Sequence, residues 1–265
     1  MKKAAQHVII WVVLAFMYLP ILILTLYSFT SSTMIGSIRG FSLDNYVTLF
    51  TEDELLSMLI GTFVLALGVG IISTFLGTIG AIGAFYSKKG FRTVVELANE
   101  VPIVNADVVT GFSICILMIV LLQMNKETYV PLVIAQTALC APFAYLSVTP
   151  RLKMMDGALY EAALDLGCSP MQALIKVVIP QIRPGILSGF MTAITLSLDD
   201  YFIATYTKPA TFDTISTYVV NATRGSQTYI KTALWALSAV IFVLVVIFTI
   251  VSNFVGNDES EERTR

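Results

Sequence analysis

The sequence is poor in charge. Only 13% of its 265 residues are charged and 56% are hydrophobic, whereas soluble domains carry about 25% charged residues. So few charged side chains cannot cover a soluble globule, and the mean hydropathy of +0.81 agrees with this. A formal net charge of −2 offers no basic surface to phosphates. The composition therefore argues against a soluble enzyme, a disordered chain and a nucleic-acid-binding protein.

Cysteine and histidine are also scarce. The three cysteines, Cys115, Cys140 and Cys168, lie far apart without a C-x-x-C pair, so they predict no secreted disulfide framework. His7 is the single histidine, which excludes sites that need two, such as zinc sites of the H-E-x-x-H kind. We therefore expect no metal site.

Long hydrophobic runs are abundant. A membrane-spanning helix needs about 20 largely apolar residues, and six stretches of the chain meet this requirement. They run over Val8–Phe29, Leu56–Tyr86, Val101–Gln123, Val130–Val148, Gly185–Tyr206 and Ala233–Phe254. The first is long for a signal peptide and no A-x-A site follows it, so we expect a retained helix. We predict an all-α polytopic membrane protein with six transmembrane helices.

The distribution of Lys and Arg predicts the orientation. With the N-terminus inside, the inner segments hold 11 of these residues and the outer segments 5. Because positive charge is enriched on the cytoplasmic side, we expect both termini in the cytoplasm. We divide the chain into an N-terminal helix with an outer segment (1–54), a core (55–254) and an acidic cytoplasmic tail (255–265).

Small residues form a stripe on the second span. Ser73, Gly77 and Ala81 follow at four-residue spacing, which places them on one helical face. Such a face lets another helix approach closely. We interpret this stripe as a packing surface.

The connector between the fourth and fifth spans, Thr149–Pro184, is longer than a bare loop requires. Asp156 stands where it caps a first helix, and the segment that follows is rich in good helix formers. Gly167 supplies the residue that ends this helix. The connector therefore begins with a short helix outside the membrane.

A second helix follows directly. Ser169 and Gln172 have the spacing of a capping box, with Pro170 at the first helical position, where its missing N–H costs nothing. We expect this helix to end at Pro180. The region 156–180 is thus predicted to be a compact pair of cytoplasmic helices between transmembrane helices 4 and 5.

Residue identities in this pair resemble the EAA motif of ABC importer permeases. The pattern is E-A-A, three residues, G, nine residues, then I-x-L-P, and the spacing matches throughout. The matching positions are Glu161, Ala162, Ala163, Gly167, Val177, Ile179 and Pro180. Valine and isoleucine replace the motif's isoleucine and leucine and keep its apolar character.

The resemblance implies a fold, a location and partners. It implies a multi-pass permease of the bacterial plasma (inner) membrane whose residues Glu161–Gly167 and Pro180 form the docking element for a cytoplasmic ATPase dimer. It also implies a second permease subunit and an extracellular or periplasmic binding protein. The chain has no G-x-x-x-x-G-K-[ST] phosphate loop. We therefore expect a transporter subunit that is not itself an enzyme and holds no cofactor, the ATP being bound by the partner ATPase.

Acidic residues fall within two of the predicted spans. Asp107 lies in the third span, and Asp199 and Asp200 lie in the fifth. Because a charge that faces lipid costs roughly 2.5–3.5 kcal/mol, such residues usually face a bundle interior or a wet cavity. Asp199 also ends a polar helical face. The other members of this face are Ser188, Thr192 and Thr195. We predict that it lines a substrate path, the alternative being hydrated or capping residues at helix ends.

The predicted path favours a cationic substrate, because no basic residue lies in any predicted span. Leu196–Asp200 and Asp107–Val109 resemble segments of the spermidine/putrescine importer permeases of the C type. This resemblance implies polyamine cargo and carboxylate contacts from Asp107, Asp199 and Asp200, while Tyr201 stacks on or hydrogen-bonds the cation. The chain departs from that subfamily's pattern at Tyr229 and Lys231.

Other functions stay open at this point. The loop motif reports the ATPase contact and not the cargo, so iron, thiamine or sugar permeases are alternatives. An intramembrane aspartyl protease would use two aspartates as an acid–base pair, but no G-x-G-D occurs and Asp199 and Asp200 are adjacent in one helix. A secondary transporter would leave the ordered cytoplasmic loop unexplained.

Overall fold

A computed structural model of the chain describes residues 2–30, 40–224, 235–243 and 246. Every regular element in these ranges is a helix, apart from one antiparallel bridge between Thr30 and Phe41. This confirms the all-α fold class.

The helices follow one another with short connections. They are α1 (Lys2–Ser28), α2 (Asp44–Thr51), α3 (Asp53–Tyr86), α4 (Lys89–Val104), α5 (Asp107–Cys115), α6 (Val130–Met154), α7 (Ala158–Asp165), α8 (Pro170–Ala173), α9 (Ile179–Asp199), α10 (Phe202–Thr207) and α11 (Ile215–Arg224). Residues 235–243 are helical as well. Two π-helical segments extend α5 and α8, over Ile116–Leu121 and Leu174–Val178 respectively.

Within the part of the chain that the structure describes, four helices are long and apolar enough to cross a membrane, and a bent pair makes a fifth span if it is counted as one. The four are Ile9–Ser28, Asp53–Tyr86, Val130–Met154 and Pro170–Asp199, and the pair is Lys89–Val104 with Asp107–Leu121. Five predicted spans therefore have counterparts. The sixth, Ala233–Phe254, lies largely outside the described residues, as do Tyr229 and Lys231.

The predicted continuity of the third and fifth spans is wrong. The third span bends by 105° between α4 and α5, because Asn105 and Ala106 both adopt extended backbone with ψ of 144° and 134°. The fifth ends as a helix at Asp199, and Asp200 is extended with ψ of 116° before α10 begins. Each break lies next to an acidic residue.

The predicted helix end at Pro180 is also wrong. The chain stays helical from Pro170 to Asp199, with Pro180 in the first turn of α9. Proline in a helix removes one backbone hydrogen bond and its ring crowds the preceding turn. The π-helical segment Leu174–Val178 lies just before Pro180 and widens the helix at that turn. The second helix of the predicted pair therefore continues directly into the membrane span.

The chain divides into two compact units. The first contains the residues up to Leu59 together with those from Tyr218, and the second contains Ile60–Thr217. In the first unit, the buried Asn45 amide donates to the carbonyls of Ser28 and Thr30, each at 3.0 Å. These bonds fasten α2 to the end of α1. The three-part organisation inferred from the sequence stays a prediction.

Close helix packing forms the core of the second unit. The stripe predicted on α3 packs as expected: Ser73 and Ala81 are buried, and a Cβ added at Gly77 would lie 2.8 Å from the carbonyl oxygen of Ala141. A Cβ added at Gly189 of α9 would lie 3.1 Å from Cα of Ala144. Helix α6 is thus packed between α3 and α9. One buried cluster contains Ala81, Ala84, Tyr145, Val148, Leu152, Val178 and Ile182.

Candidate functional site

The two helix breaks of the second unit lie side by side. A Cβ added at Gly111 of α5 would lie 3.0 Å from Cα of Ile203 in α10, and the Cys115 thiol donates to the carbonyl oxygen of Tyr206 at 3.3 Å. These successive contacts advance in the same direction along both helices, so α5 and α10 are parallel. Counting back along both helices from Gly111 and Ile203 places Asp107, the first residue of α5, beside the break between α9 and α10.

Asp200 is buried at this break and bonded to three donors. It is only 8% exposed. Its Oδ1 accepts from the backbone N–H of Ile203 at 3.0 Å, and its Oδ2 accepts from that of Ala204 at 3.0 Å. The Gln136 side-chain amide of α6 donates to the same Oδ2 at 2.9 Å. Asp200 therefore has the capping arrangement that the sequence left open as the alternative.

Gln136 is the residue of this site that sequence reasoning missed. It is fully buried in α6, and its Oε1 accepts from the Ser197 hydroxyl at 2.9 Å. The Gln136 amide thus bonds α6 to Ser197 in the last turn of α9 and to Asp200 at the break. An amide in the middle of an apolar span is the signal that could have indicated it, since buried polar side chains in membranes require partners.

Asp107 and Asp199 occupy a different environment from Asp200. Both are exposed on the surface of the chain, and Tyr201 is half-buried with its ring 5.2 Å from that of Phe202. The polar face of α9 leads to this place. Its members Ser188, Thr195 and Asp199 are exposed, and Thr192 is half-buried.

The local electrostatics favour a cation. The last carbonyl groups of α9 carry the negative end of one helix dipole, and α5 and α10 begin beside it with their positive ends. The excess of negative charge therefore comes from the carboxylates, of which Asp107 and Asp199 are exposed. Lys208, which follows α10, is held by Asp213 at 3.0 Å and donates to the Phe212 carbonyl. Its charge is therefore compensated within the segment that follows α10. Among the described residues, no group of three or more His, Cys, Asp or Glu side chains is arranged to hold a metal ion.

An apolar groove of about 600 Å³ opens between α3 and α9. Nothing in the sequence pattern pointed to it. Thr74 and Thr78 line it with buried hydroxyls that have no hydrogen-bond partner. The other lining residues are Ile71, Phe75, Ile179, Arg183, Ile186, Leu187, Phe190 and Met191.

The helix pair α7–α8 is capped as the sequence predicted. Asp156 Oδ1 accepts from the N–H of Ala158 at 2.9 Å, and Ser169 and Gln172 form the reciprocal capping box. Gly167 has φ of +89°, a left-handed conformation that strongly favours glycine. Gly167 thus ends α7 and the capping box begins α8, which fixes both ends of the turn between these two helices.

Five residues were predicted to dock the ATPase, and they differ in exposure. Four of them are exposed, namely Glu161, Ala162, Gly167 and Pro180. Ala163 is buried. Large apolar side chains beside them also face outward: Leu166 is 87% exposed and Met171 is 64% exposed. These two side chains are thus accessible beside the exposed Glu161 and Gly167.

Parallel broken helices with acidic residues at their breaks, set among long spanning helices, define a membrane transport protein. The match to a known family identifies it further. The chain belongs to the family described as binding-protein-dependent transport system inner membrane component, which matches residues 73–257. It is therefore a multi-pass inner-membrane subunit of an ABC importer.

Individual relatives agree with this assignment. The chain is 30% identical over 218 residues to the putrescine transport system permease protein PotI of Escherichia coli (strain K12), a match that covers 79% of this chain and 76% of that protein. It is 25% identical over 251 residues to the spermidine/putrescine transport system permease protein PotC of the same strain, covering 94% and 93%.

Solved structures share the fold. A chain from a bacterial ABC transporter involved in the import of the acidic polysaccharide alginate superposes with a TM-score of 0.73 at 18% identity, covering all of this chain and 96% of that chain. A chain of the MetNI methionine ABC transporter gives a TM-score of 0.60 at 16% identity, covering 78% and 99%. The ABC permease fold is thus common to transporters of different cargo.

Proposed function

We propose that this chain is a permease subunit of an ATP-driven, binding-protein-dependent importer of polyamines such as spermidine and putrescine. The observation that carries the proposal is the pair of exposed acidic residues, Asp107 and Asp199, which lie at two neighbouring helix breaks. Two relatives bear the names of putrescine and spermidine/putrescine permeases, which supports the same cargo. Polyamines carry several ammonium groups, so spaced carboxylates complement them.

The roles of the acidic residues follow from their exposure. Asp107 and Asp199 offer free carboxylates to ammonium groups, and the Tyr201 ring offers its face to the cation. Asp200 lies just behind this surface and contributes its charge through space. Its oxygens are bonded to the protein, so they are not offered to the substrate. The attraction must stay weak, since a tightly held cation would not leave.

A second permease subunit completes the path. The polar face of α9 is exposed on this chain, and a face that ends in a carboxylate is costly against lipid. A partner permease that covers the face across a water-containing gap removes this cost. The substrate, delivered by an extracellular or periplasmic binding protein, then passes between the two subunits.

The energy comes from a separate ATPase dimer that binds ATP. The pair α7–α8 docks on the ATPase through Glu161, Ala162, Gly167 and the apolar side chains beside them. Because the second helix continues into α9, closure of the ATPases moves this span directly. Such rigid-body coupling produces alternating access, with both chain termini in the cytoplasm.

Uptake of labelled putrescine and spermidine tests the cargo. Cells without other polyamine importers are compared with and without this gene, and ATP-depleted cells serve as the control. Energy-dependent uptake that requires the gene supports the proposal. Absence of such uptake, with the complex assembled in the membrane, refutes polyamine cargo. Labelled thiamine, iron and sugars then identify the alternative.

A further inference from the structure

We propose that Gln136 is a positioning residue, whose side-chain amide, held at its other end by Ser197, fixes Asp200 and thereby holds the α9–α10 break in the geometry that presents Asp199 and Tyr201. The part of this inference that concerns transport rests on the proposed function. The part that concerns the packing of α10 does not.

The orientation of the amide is set by hydrogen bonding. Ser197 Oγ donates to Gln136 Oε1 at 2.9 Å, and the NH₂ group points the other way, toward Asp200 Oδ2 at 2.9 Å. A reversed amide would place its oxygen against the carboxylate and lose that bond, whereas the Ser197 hydroxyl could accept from the NH₂ group instead. The carboxylate therefore sets the orientation of the amide, and Ser197 holds its other end.

Asp200 transmits this restraint to α10. Its carboxylate accepts from the backbone of Ile203 and Ala204, both of which are fully buried. A buried carboxylate needs several donors, and the loss of one costs more than the loss of a bond between neutral groups. Removing the amide of Gln136 therefore loosens Asp200, and α10 loses its fixed direction with it.

The neighbouring helix provides a natural reporter. The Cys115 thiol of α5 donates to the carbonyl of Tyr206 near the end of α10, and this cysteine is partly buried. When α10 moves away, the thiol becomes accessible to a neutral maleimide. Replacing Cys140 and Cys168 by alanine and serine leaves Cys115 as the single thiol of the full-length chain in its membrane.

The principal variant is Gln136→Met, which keeps the length of the side chain and removes its amide. The expected result is an increase in the labelling rate of Cys115 of about tenfold, the effect of losing one hydrogen bond to a charged group. Thr137→Val is the matched control. It changes the next residue of α6, whose buried hydroxyl has no hydrogen-bond partner, and should leave labelling unchanged.

A reciprocal exchange separates positioning from general damage. In Gln136→Glu with Asp200→Asn, the donor and the acceptor trade places and the bond across the break can form again, but the amide at residue 200 has a single oxygen and leaves the N–H of Ala204 without its acceptor. Each single variant is expected to raise labelling, and the double variant to label more slowly than Gln136→Glu alone while staying faster than the parent, since neighbouring residues are coupled. A double variant that labels as fast as Gln136→Glu would overturn the proposal, as would Gln136→Met with unchanged labelling.

The gentler variant Ser197→Ala covers the case in which Gln136→Met fails to insert. It is expected to raise labelling by about fivefold, because a bond between neutral groups contributes less. Unchanged labelling in this variant would contradict the part of Ser197 in holding the Gln136 amide. Membrane content and the thermal midpoint of each variant are measured in parallel.

Uptake of labelled putrescine is the second readout. With equal membrane content, Gln136→Met should lower uptake about tenfold while Thr137→Val retains it, and the exchanged pair should take up more than Gln136→Glu alone. If the parent chain takes up no polyamine, the proposed cargo fails, but the labelling of Cys115 still decides the role of Gln136. Normal uptake by Gln136→Met would show that the positioning of α10 has no part in transport.

Discussion

Gly77 of α3 lies against Ala144 of α6 so closely that a Cβ at residue 77 would come within 2.8 Å of the Ala144 Cβ. It would approach the backbone oxygen of Ala141 and the backbone nitrogen of Tyr145 at the same distance. Backbone atoms cannot rotate aside as a flexible side chain can. The contact of these two helices therefore depends on the absence of a side chain at residue 77.

The first prediction is that Gly77→Ala destabilises the protein. Forcing a methyl group into this contact requires the helices to separate, which costs about 1–3 kcal/mol in a well-packed core. The measurement is the thermal midpoint of the purified full-length chain in detergent. Gly83→Ala is the matched control on the same helix, because a Cβ there meets nothing within 4 Å. Equal midpoints for the two variants would contradict the prediction.

This packing surface and the helix caps could be read from the sequence because their causes are local. Four-residue spacing places small residues on one face, and a capping box needs only Ser169 and Gln172. The structure confirms both. The resemblance at Glu161–Gly167 was equally accessible, since a motif of fixed spacing lies within one short segment.

The break between α9 and α10 was not predicted, because a distant residue holds it. After two aspartates, the segment Asp199–Tyr206 continues with mostly apolar and aromatic residues, and their hydrophobicity gives no reason to end the helix. The break is held by a hydrogen bond between Asp200 and Gln136, which are 64 positions apart. The prediction that the helix ends at Pro180 failed because local rules treat a proline as a helix stop. Here a π-helical turn before Pro180 accommodates the proline and the helix continues.

The second prediction concerns the docking surface. Glu161→Lys should abolish uptake of the transported substrate and release the ATPase, because it reverses an exposed charge in the middle of the docking helix. Uptake and co-purification of the ATPase with the tagged permease are the measurements. Asp165→Lys reverses another exposed charge one turn later on α7 and should have a smaller effect. Normal uptake by a correctly inserted Glu161→Lys variant would remove the docking role.

The third prediction concerns the turn between α7 and α8. Gly167 has φ of +89°, so Gly167→Ala places a side chain in a strained conformation that costs about 1–3 kcal/mol. The helix pair should become more sensitive to limited proteolysis, and ATPase co-purification should fall. Gly157→Ala at the other end of α7 is the control, because its φ is −60° and a Cβ there meets nothing within 4 Å.

The fourth prediction separates the two adjacent aspartates. Asp199 is exposed, whereas Asp200 is buried and accepts three hydrogen bonds. Asp199→Asn should therefore lower the uptake of a cationic substrate and leave the thermal midpoint unchanged. Asp200→Asn should lower both uptake and stability, since an amide cannot replace every bond of the carboxylate and hydrogen bonds to charged groups contribute about 1.5–3 kcal/mol.

The dependence of uptake on ionic strength further tests the separate roles of Asp199 and Asp200. The attraction between an exposed carboxylate and a cation weakens with ionic strength, because the Debye length falls from about 10 Å at 0.1 M to about 3 Å at 1 M salt. In reconstituted vesicles, uptake by the parent should decline as salt rises, and uptake by Asp199→Asn should decline less. Equal salt dependence in the two proteins would mean that the Asp199 carboxylate does not attract the substrate. If Asp200→Asn lowers the stability but not the uptake per folded molecule, Asp200 has a structural role only.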